Sequence, residues 1–175
     1  MMRLFLGIDI PPLTKEKIDQ YLQPLRLTTK GWENPLDYHQ TLLFIGEASP
    51  EELDTISNKL NEFNFHPFEL TFNGFHFFSR RIMYLGFRPS VDLMLLKKKI
   101  DQDFSNWVKS ETKPFIPHIT VKRWQRYEYD KLESGIKQKQ LDPTSMIVKG
   151  LSLFKSEKDS FNQKYHILKT KLFEN

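Results

Sequence analysis

Apolar residues fill most of Leu4-Phe5-Leu6-Gly7-Ile8-Asp9-Ile10 before Pro11 and Pro12 stop the run, which predicts a buried strand. The period then lengthens. Ile18, Tyr21, Leu22 and Leu25 recur at helical spacing, predicting an amphipathic helix over about 14–26. A turn-rich stretch with Gly31 and Asn34-Pro35 leads into a second strand over 38–45. Ser49-Pro50-Glu51-Glu52 has the make-up of a helix start, with Ser49 as cap, Pro50 at the first helical position and Glu52 closing a capping box. Leu53, Ile56, Leu60 and Phe63 form the apolar stripe of that helix, and residues 68–75 predict a third strand.

The order then returns. Residues 82–87 form a strand ended by Pro89, and Ser90 caps a helix whose stripe is Leu93, Leu96, Ile100, Phe104 and Trp107. Residues 115–122 predict a strand, 128–138 a weaker helix with Gly135 against it, and 145–155 and 165–173 two further strands. His118 follows His39 by 79 residues, and Gly86 follows Gly7 by the same 79. Two landmarks on different strands with one spacing predict an α+β fold of two pseudo-symmetric lobes, each a mostly antiparallel sheet backed by helices. The expectation is one domain over 1–175, with lobes over about 1–79 and 80–175 and a central cleft.

Composition narrows the chemistry. Fifteen phenylalanines in 175 residues require a core built partly of rings, and the net charge of +4 is mild. A sequence pI near 9.1 suits an anionic ligand without specifying one. With no cysteine, disulfides, thiolate nucleophiles and Cys-based zinc sites are excluded. The apolar opening is short and broken by Asp9 and prolines, so neither a signal peptide nor a membrane span is expected. The reading is of a cytoplasmic monomer.

The candidate chemistry lies in two copies of His-x-Thr, His39-Gln40-Thr41 and His118-Ile119-Thr120. Strand residues two apart share a face, so each strand presents one imidazole and one hydroxyl together, with Lys122 following on the face of His118 and Thr120. Opening a cyclic phosphate needs a base for water and an acid for the departing ribose oxygen. Histidine serves either role near neutral pH. Threonine hydroxyls donate to non-bridging oxygens as charge builds there. A single histidine in a half-buried strand is more often structural; two copies in equivalent places favour catalysis or phosphate binding. The similarity of the halves leaves donor and acceptor unassigned.

These motifs resemble the two-histidine phosphoesterase superfamily, and within it the RNA 2′,3′-cyclic phosphodiesterases, also called 2′-5′ RNA ligases or LigT-like proteins. The likeness spans nearly the whole chain. It rests on Met2 to Pro11, on Tyr38-His39-Gln40-Thr41-Leu42-Leu43-Phe44-Ile45-Gly46-Glu47, and on Phe115-Ile116-Pro117-His118-Ile119-Thr120-Val121-Lys122-Arg123. The resemblance implies hydrolysis of RNA 2′,3′-cyclic phosphate ends to 2′-phosphomonoesters without metal or cofactor. It implies His39 as proton donor to O3′, His118 as the base, and Thr41, Thr120 and Arg123 as phosphate contacts, with 2′-5′ ligation as the reverse reaction. Strict alternation would turn Arg123 away from His118, so its role requires the strand to bend after Lys122. Where the family has a Gly-containing turn, this chain has Asp159-Ser160-Phe161-Asn162, with Asn162 as a left-handed turn residue.

Two other readings stay open. One is action on a small cyclic nucleotide, ADP-ribose cyclic phosphate or a 2′-5′ oligonucleotide, the other a non-catalytic module that binds RNA ends. His66, His76 and His166 are read as structural, lacking carboxylates at ligand spacing. Trp32, Phe75, Phe77 and Phe78 are candidates to stack on a base, at most one of them doing so. Arg80, Arg81, Lys122, Arg123 and Arg126 are candidates to steer an RNA backbone, and Lys97-Lys98-Lys99 is the wet face of a helix.

Overall fold

The alternating and apolar runs form strands whose pairings are all antiparallel, in a computed structural model that describes residues 1–108, 114–123, 129–136, 145–157 and 163–174. The first run is β1 (Met2–Asp9), α1 (Pro12–Arg26), β2 (His39–Ala48), α2 (Pro50–Glu62) and β3 (Phe68–Phe78). The second is β4 (Ile82–Phe87), α3 (Val91–Asp103), β5 (His118–Arg123), α4 (Tyr129–Ile136), β6 (Ser145–Val148), β7 (Gly150–Ser156) and β8 (Tyr165–Leu172). The expected capping box opens α2: Ser49 Oγ accepts from the Glu52 N–H, and the Glu52 carboxylate accepts from the Ser49 N–H at 2.9 Å. Ser90 caps α3 in the same way, its hydroxyl accepting from the Leu93 N–H at 3.2 Å.

Several boundaries shift by a few residues, β3 running on to Phe78 and β5 starting only at His118, and two changes go further. The helix predicted to run through Phe104 and Trp107 ends at Asp103, and those two rings sit in its cap and in a following 3₁₀ turn. The single strand expected over 145–155 divides at Lys149 into β6 and β7. Its apolar residues serve two different partners, β6 pairing with β3 and β7 with β1 and β8.

The strand order is β6-β3-β4-β5-β2-β1-β7-β8, one eight-stranded sheet among the described residues. It comprises two four-stranded halves, and the described register joins them at one position, Gln40 opposite Ile119. The halves of the sheet are not the halves of the chain. β3 leaves the first run to pair with β4, and β7 leaves the second to pair with β1. A division at residue 79 therefore cuts across the sheet. The expected spacing of 79 does hold in space, since it relates β1 to β4 and β2 to β5, the pairs flanking the centre. Helices cover the sheet: α2 packs on β7 and β8, α3 on β2, and the Tyr21 ring of α1 stacks on Phe75 at 5.2 Å. The apolar residues between these layers form one continuous core. No described helix is long and apolar enough to cross a membrane.

Candidate active site

Both motifs lie at the starts of the two central strands, and the cross-link between those strands is a side chain. Gln40 faces away from the cleft and is buried; its amide oxygen accepts the backbone N–H of His118, and its amide nitrogen donates to the Thr41 carbonyl at 2.6 Å. A glutamine at a core-facing strand position thereby locks the two motif strands in register.

Each imidazole is oriented by the same device. His39 Nδ1 lies 2.6 Å from the Asp37 carbonyl, and His118 Nδ1 lies 2.7 Å from the Ile116 carbonyl, in both cases two residues earlier in the chain. A carbonyl only accepts, so Nδ1 carries the proton in both rings and Nε2 is the free, basic nitrogen. His39 Nε2 accepts from the Thr41 hydroxyl at 3.0 Å. The cavity that both rings line encloses about 90 Å³, bounded also by Thr41, Thr120, Arg123, Glu33, Asp37, Phe44 and Tyr165. All five residues expected at the site thus meet in one pocket.

Arg123 reaches it through a β-bulge. Tyr84 pairs with Thr120 and Met83 with Lys122, so β5 carries one more residue than β4 at this point. The extra residue reverses the alternation. Arg123 returns to the face of His118 and Thr120. Lys122, expected on that face, instead turns inward beside Met83, fully buried with its ammonium 4.8 Å from the Trp32 ring centroid.

Aromatic rings hold the histidines. Phe5, Phe154 and Tyr165 stand 4.8, 5.5 and 4.7 Å from His39, and Phe78 and Tyr84 stand 5.0 and 5.4 Å from His118. Phe5 and Tyr84 are 79 residues apart, so the cages share one pseudo-symmetry. Of the four rings considered for base stacking, Phe78 alone abuts the site. Trp32 is covered by Lys122 and by Arg26 at 5.3 Å, Phe75 packs on Tyr21, and Phe77 packs on the core.

Glu33, Asp37 and Tyr165 were not expected at the site, Tyr165 being read only as the start of the last strand. Residues 31–33 pair with the end of β5 where β2 diverges: the Glu33 N–H donates to the Val121 carbonyl at 2.9 Å and the Arg123 N–H to the Gly31 carbonyl at 3.0 Å. Glu33, buried in a turn-rich stretch, thereby meets Arg123 Nε at 3.1 Å and Lys164 Nζ at 2.6 Å. Asp37 Oδ1 accepts the N–H groups of Lys164 and Tyr165 at 2.9 and 3.1 Å, which fixes Tyr165 against His39. The sequence held one usable hint, Asp37 at the end of a proline turn, since aspartate side chains there often accept backbone N–H groups.

Burial sets the charge state. It pushes the His39 imidazole down to about 4, with the Lys15 and His118 charges adding to the effect and the Asp37 carbonyl opposing it. Burial also lowers His118, aided by Arg123. Both rings are therefore neutral at pH 7, and an acid role requires uptake of a proton with the anionic substrate. Stability follows. The unfolded chain protonates His39 near pH 6.5 but the folded one only near 4, so the contribution is whole above pH 6.5 and lost as pH falls toward 4, by up to about 3 kcal/mol. Asp37, raised mainly by burial, works in the opposite sense. The clean comparison is thus between wild type and His39→Gln. Between pH 7 and 4.5 the wild-type melting temperature should fall by roughly 5–10 °C more than that of the variant; parallel curves would contradict the buried, neutral His39.

The remaining histidines are occupied elsewhere, as expected. His66 pairs with Asp92 at 3.1 Å, His76 bonds the Asn73 carbonyl at 2.9 Å and His166 the Glu157 carbonyl at 2.9 Å. Among the described residues no three His, Asp or Glu side chains are grouped as metal ligands. Arg126 and the turn at Asp159-Ser160-Phe161-Asn162 lie outside the described residues.

The family model of the 2′-5′ RNA ligase superfamily matches residues 14–160. The chain belongs to that superfamily. An Archaeoglobus fulgidus protein named RNA 2′,3′-cyclic phosphodiesterase is 32% identical over 131 residues, which is 71% of this chain and 74% of the relative. A Thermotoga maritima protein of the same name is 28% identical over 89% of this chain and 87% of its own. The crystal structure of E. coli LigT in apo form superposes with a TM-score of 0.80 at 23% identity, covering 99% of this chain and 98% of that one. LigT has also been solved with 3′-AMP bound, at a TM-score of 0.77 with 99% of each chain covered. The superfamily member described here therefore shares the fold from end to end.

Proposed function

We propose that the chain is an RNA 2′,3′-cyclic phosphodiesterase that opens the ring to a 2′-phosphomonoester by acid–base catalysis between His39 and His118. The supporting observation is the matched pair of imidazoles, each tied at Nδ1 to a carbonyl two residues back and each offering Nε2 to one small pocket with two threonines and an arginine. The relatives' names point the same way. His118 Nε2 takes a proton from water as the oxygen attacks phosphorus. The bond to O3′ breaks, and Nε2–H of a protonated His39 delivers its proton to O3′, leaving a 3′-hydroxyl and a 2′-phosphate. Thr41, Thr120 and Arg123 hold the non-bridging oxygens as charge grows there. The direction of the roles follows the family likeness.

The test is turnover of a short RNA ending in a 2′,3′-cyclic phosphate, with EDTA present. The expected product is a 2′-phosphate. A 3′-phosphate would mean that the ring binds the other way round, and no turnover of RNA or of mononucleoside cyclic phosphates would remove the catalytic reading.

A further inference from the structure

The catalytic pocket is small. Its roughly 90 Å³ falls well short of the roughly 300–1,000 Å³ that enclose a drug-sized ligand. It accommodates the reacting phosphate and little of the chain behind it. A polynucleotide must therefore lie along the rim, and the rim beside His118 is the β3–β4 hairpin. Phe78 and Tyr84 stack at 4.0 Å across that hairpin and stand against the His118 ring, so the base of the hairpin is the pocket wall.

Its tip is unusual in backbone and in charge. Ser79 and Arg80 have φ of +49° and +55°, and the Arg81 N–H donates to the Phe78 carbonyl at 3.0 Å. Two successive positive φ values make the tight turn that Asn-Gly normally fills; serine and arginine adopt it at a conformational cost. Ser79, Arg80 and Arg81 are all exposed, so core packing does not explain why these residues stand there. Strain held at an exposed turn beside a site points to a use for the side chains. Arg81 precedes Ile82, and Ile82 is the cross-strand partner of Arg123. Beyond Arg123, Glu33 links to Lys164. The exposed arginines of the hairpin tip thus lead into the strand that pairs with the pocket arginine's strand at Arg123 itself.

We propose that the Ser79-Arg80-Arg81 turn is a docking point for the phosphodiester backbone of RNA upstream of its cyclic end, Arg81 making the principal contact. It sets a preference for polymer over mononucleotide. This rests on the reading of the pocket as a cyclic phosphodiesterase and adds to it a second binding site outside the chemistry.

The experiment compares kcat/KM for a cyclic-phosphate-ended RNA oligomer and for a nucleoside 2′,3′-cyclic phosphate across a salt series. Arg81→Ala should lower the oligomer value roughly fivefold at low salt and reduce the slope of its logarithm against log salt by about 0.7, the share of one single-strand phosphate contact. The mononucleotide value should not move. A second variant guards against misfolding: Ser79→Asn with Arg80→Gly installs the favoured pair of this turn, so it should raise the melting temperature while lowering turnover of the oligomer. Equal losses on both substrates, or none on the oligomer, would overturn the proposal. Should wild type turn over neither substrate, the phosphodiesterase reading fails by itself. Filter binding of the oligomer then decides the rim: weaker binding by Arg81→Ala upholds it, and unchanged binding overturns it.

Discussion

His118→Ala should lower kcat on a cyclic-phosphate RNA end by about 10²–10⁴, and His39→Ala by a comparable factor, the range for loss of one positioned acid or base. The site offers no substitute for either. Thr41 and Thr120 do not titrate near neutrality, and the nearest carboxylates, Glu33 and Asp37, are already engaged by Arg123, Lys164 and two backbone N–H groups. The double variant should be little worse than either single one, because an acid without its base serves a reaction that no longer proceeds in concert. A substrate with sulfur in place of O3′ separates the roles, since a thiolate leaves without a proton. On it the His39→Ala deficit should largely vanish while that of His118→Ala persists. Rescue of His118→Ala instead would exchange the two assignments, and full turnover by both variants on the natural substrate would end the acid–base account.

Gly7→Ala should destabilise the fold at or above the upper end of the about 1–3 kcal/mol typical of overpacking. A Cβ on Gly7 would stand 2.6 Å from the Gln40 carbonyl oxygen, a backbone atom of the strand that carries His39. The strands would have to part there, and with them the Gln40 link to His118. Gly86 occupies the equivalent place in the second run, yet its Cβ would meet the half-buried His76 ring at 3.0 Å, a side chain that can shift where a backbone carbonyl cannot. Gly86→Ala should cost less than about 1 kcal/mol. Urea unfolding of the two variants checks this, and equal losses would show that backbone crowding at Gly7 is not what requires glycine.

The periodicity located the elements because strands and helices bury one face each, and the 79-residue spacing alone exposed the pseudo-symmetry. His39, Thr41, His118 and Thr120 were legible because two-residue alternation survives where β2 and β5 begin. The alternation misplaced Lys122 because a bulge has no local signature; it is made by β4, which carries one residue fewer. Glu33 and Tyr165 were silent for a related reason. What brings them to the pocket is pairing between segments distant in the chain, Gly31 to Glu33 with the end of β5 and Asp37 with the start of β8. The division of 145–155 at Lys149 was hidden because both parts are equally apolar and only their partners differ.

The exchange of β3 and β7 between the halves of the sheet bears on how the protein is made. As the chain leaves the ribosome, β1 and β2 are free to pair early, but the other edge of β1 stays open until residues 150–156 emerge. β3 finds β4 at once across a short turn, but its other edge waits for β6 at residues 145–148. Neither run can complete its own sheet, so the nascent chain carries unpaired strand edges through most of its synthesis. Folding dominated by such distant pairings belongs to the millisecond-to-second class rather than the microsecond one. The pocket is then among the last features to form, because the cage of His39 draws on Phe154 and Tyr165 near the end of the chain.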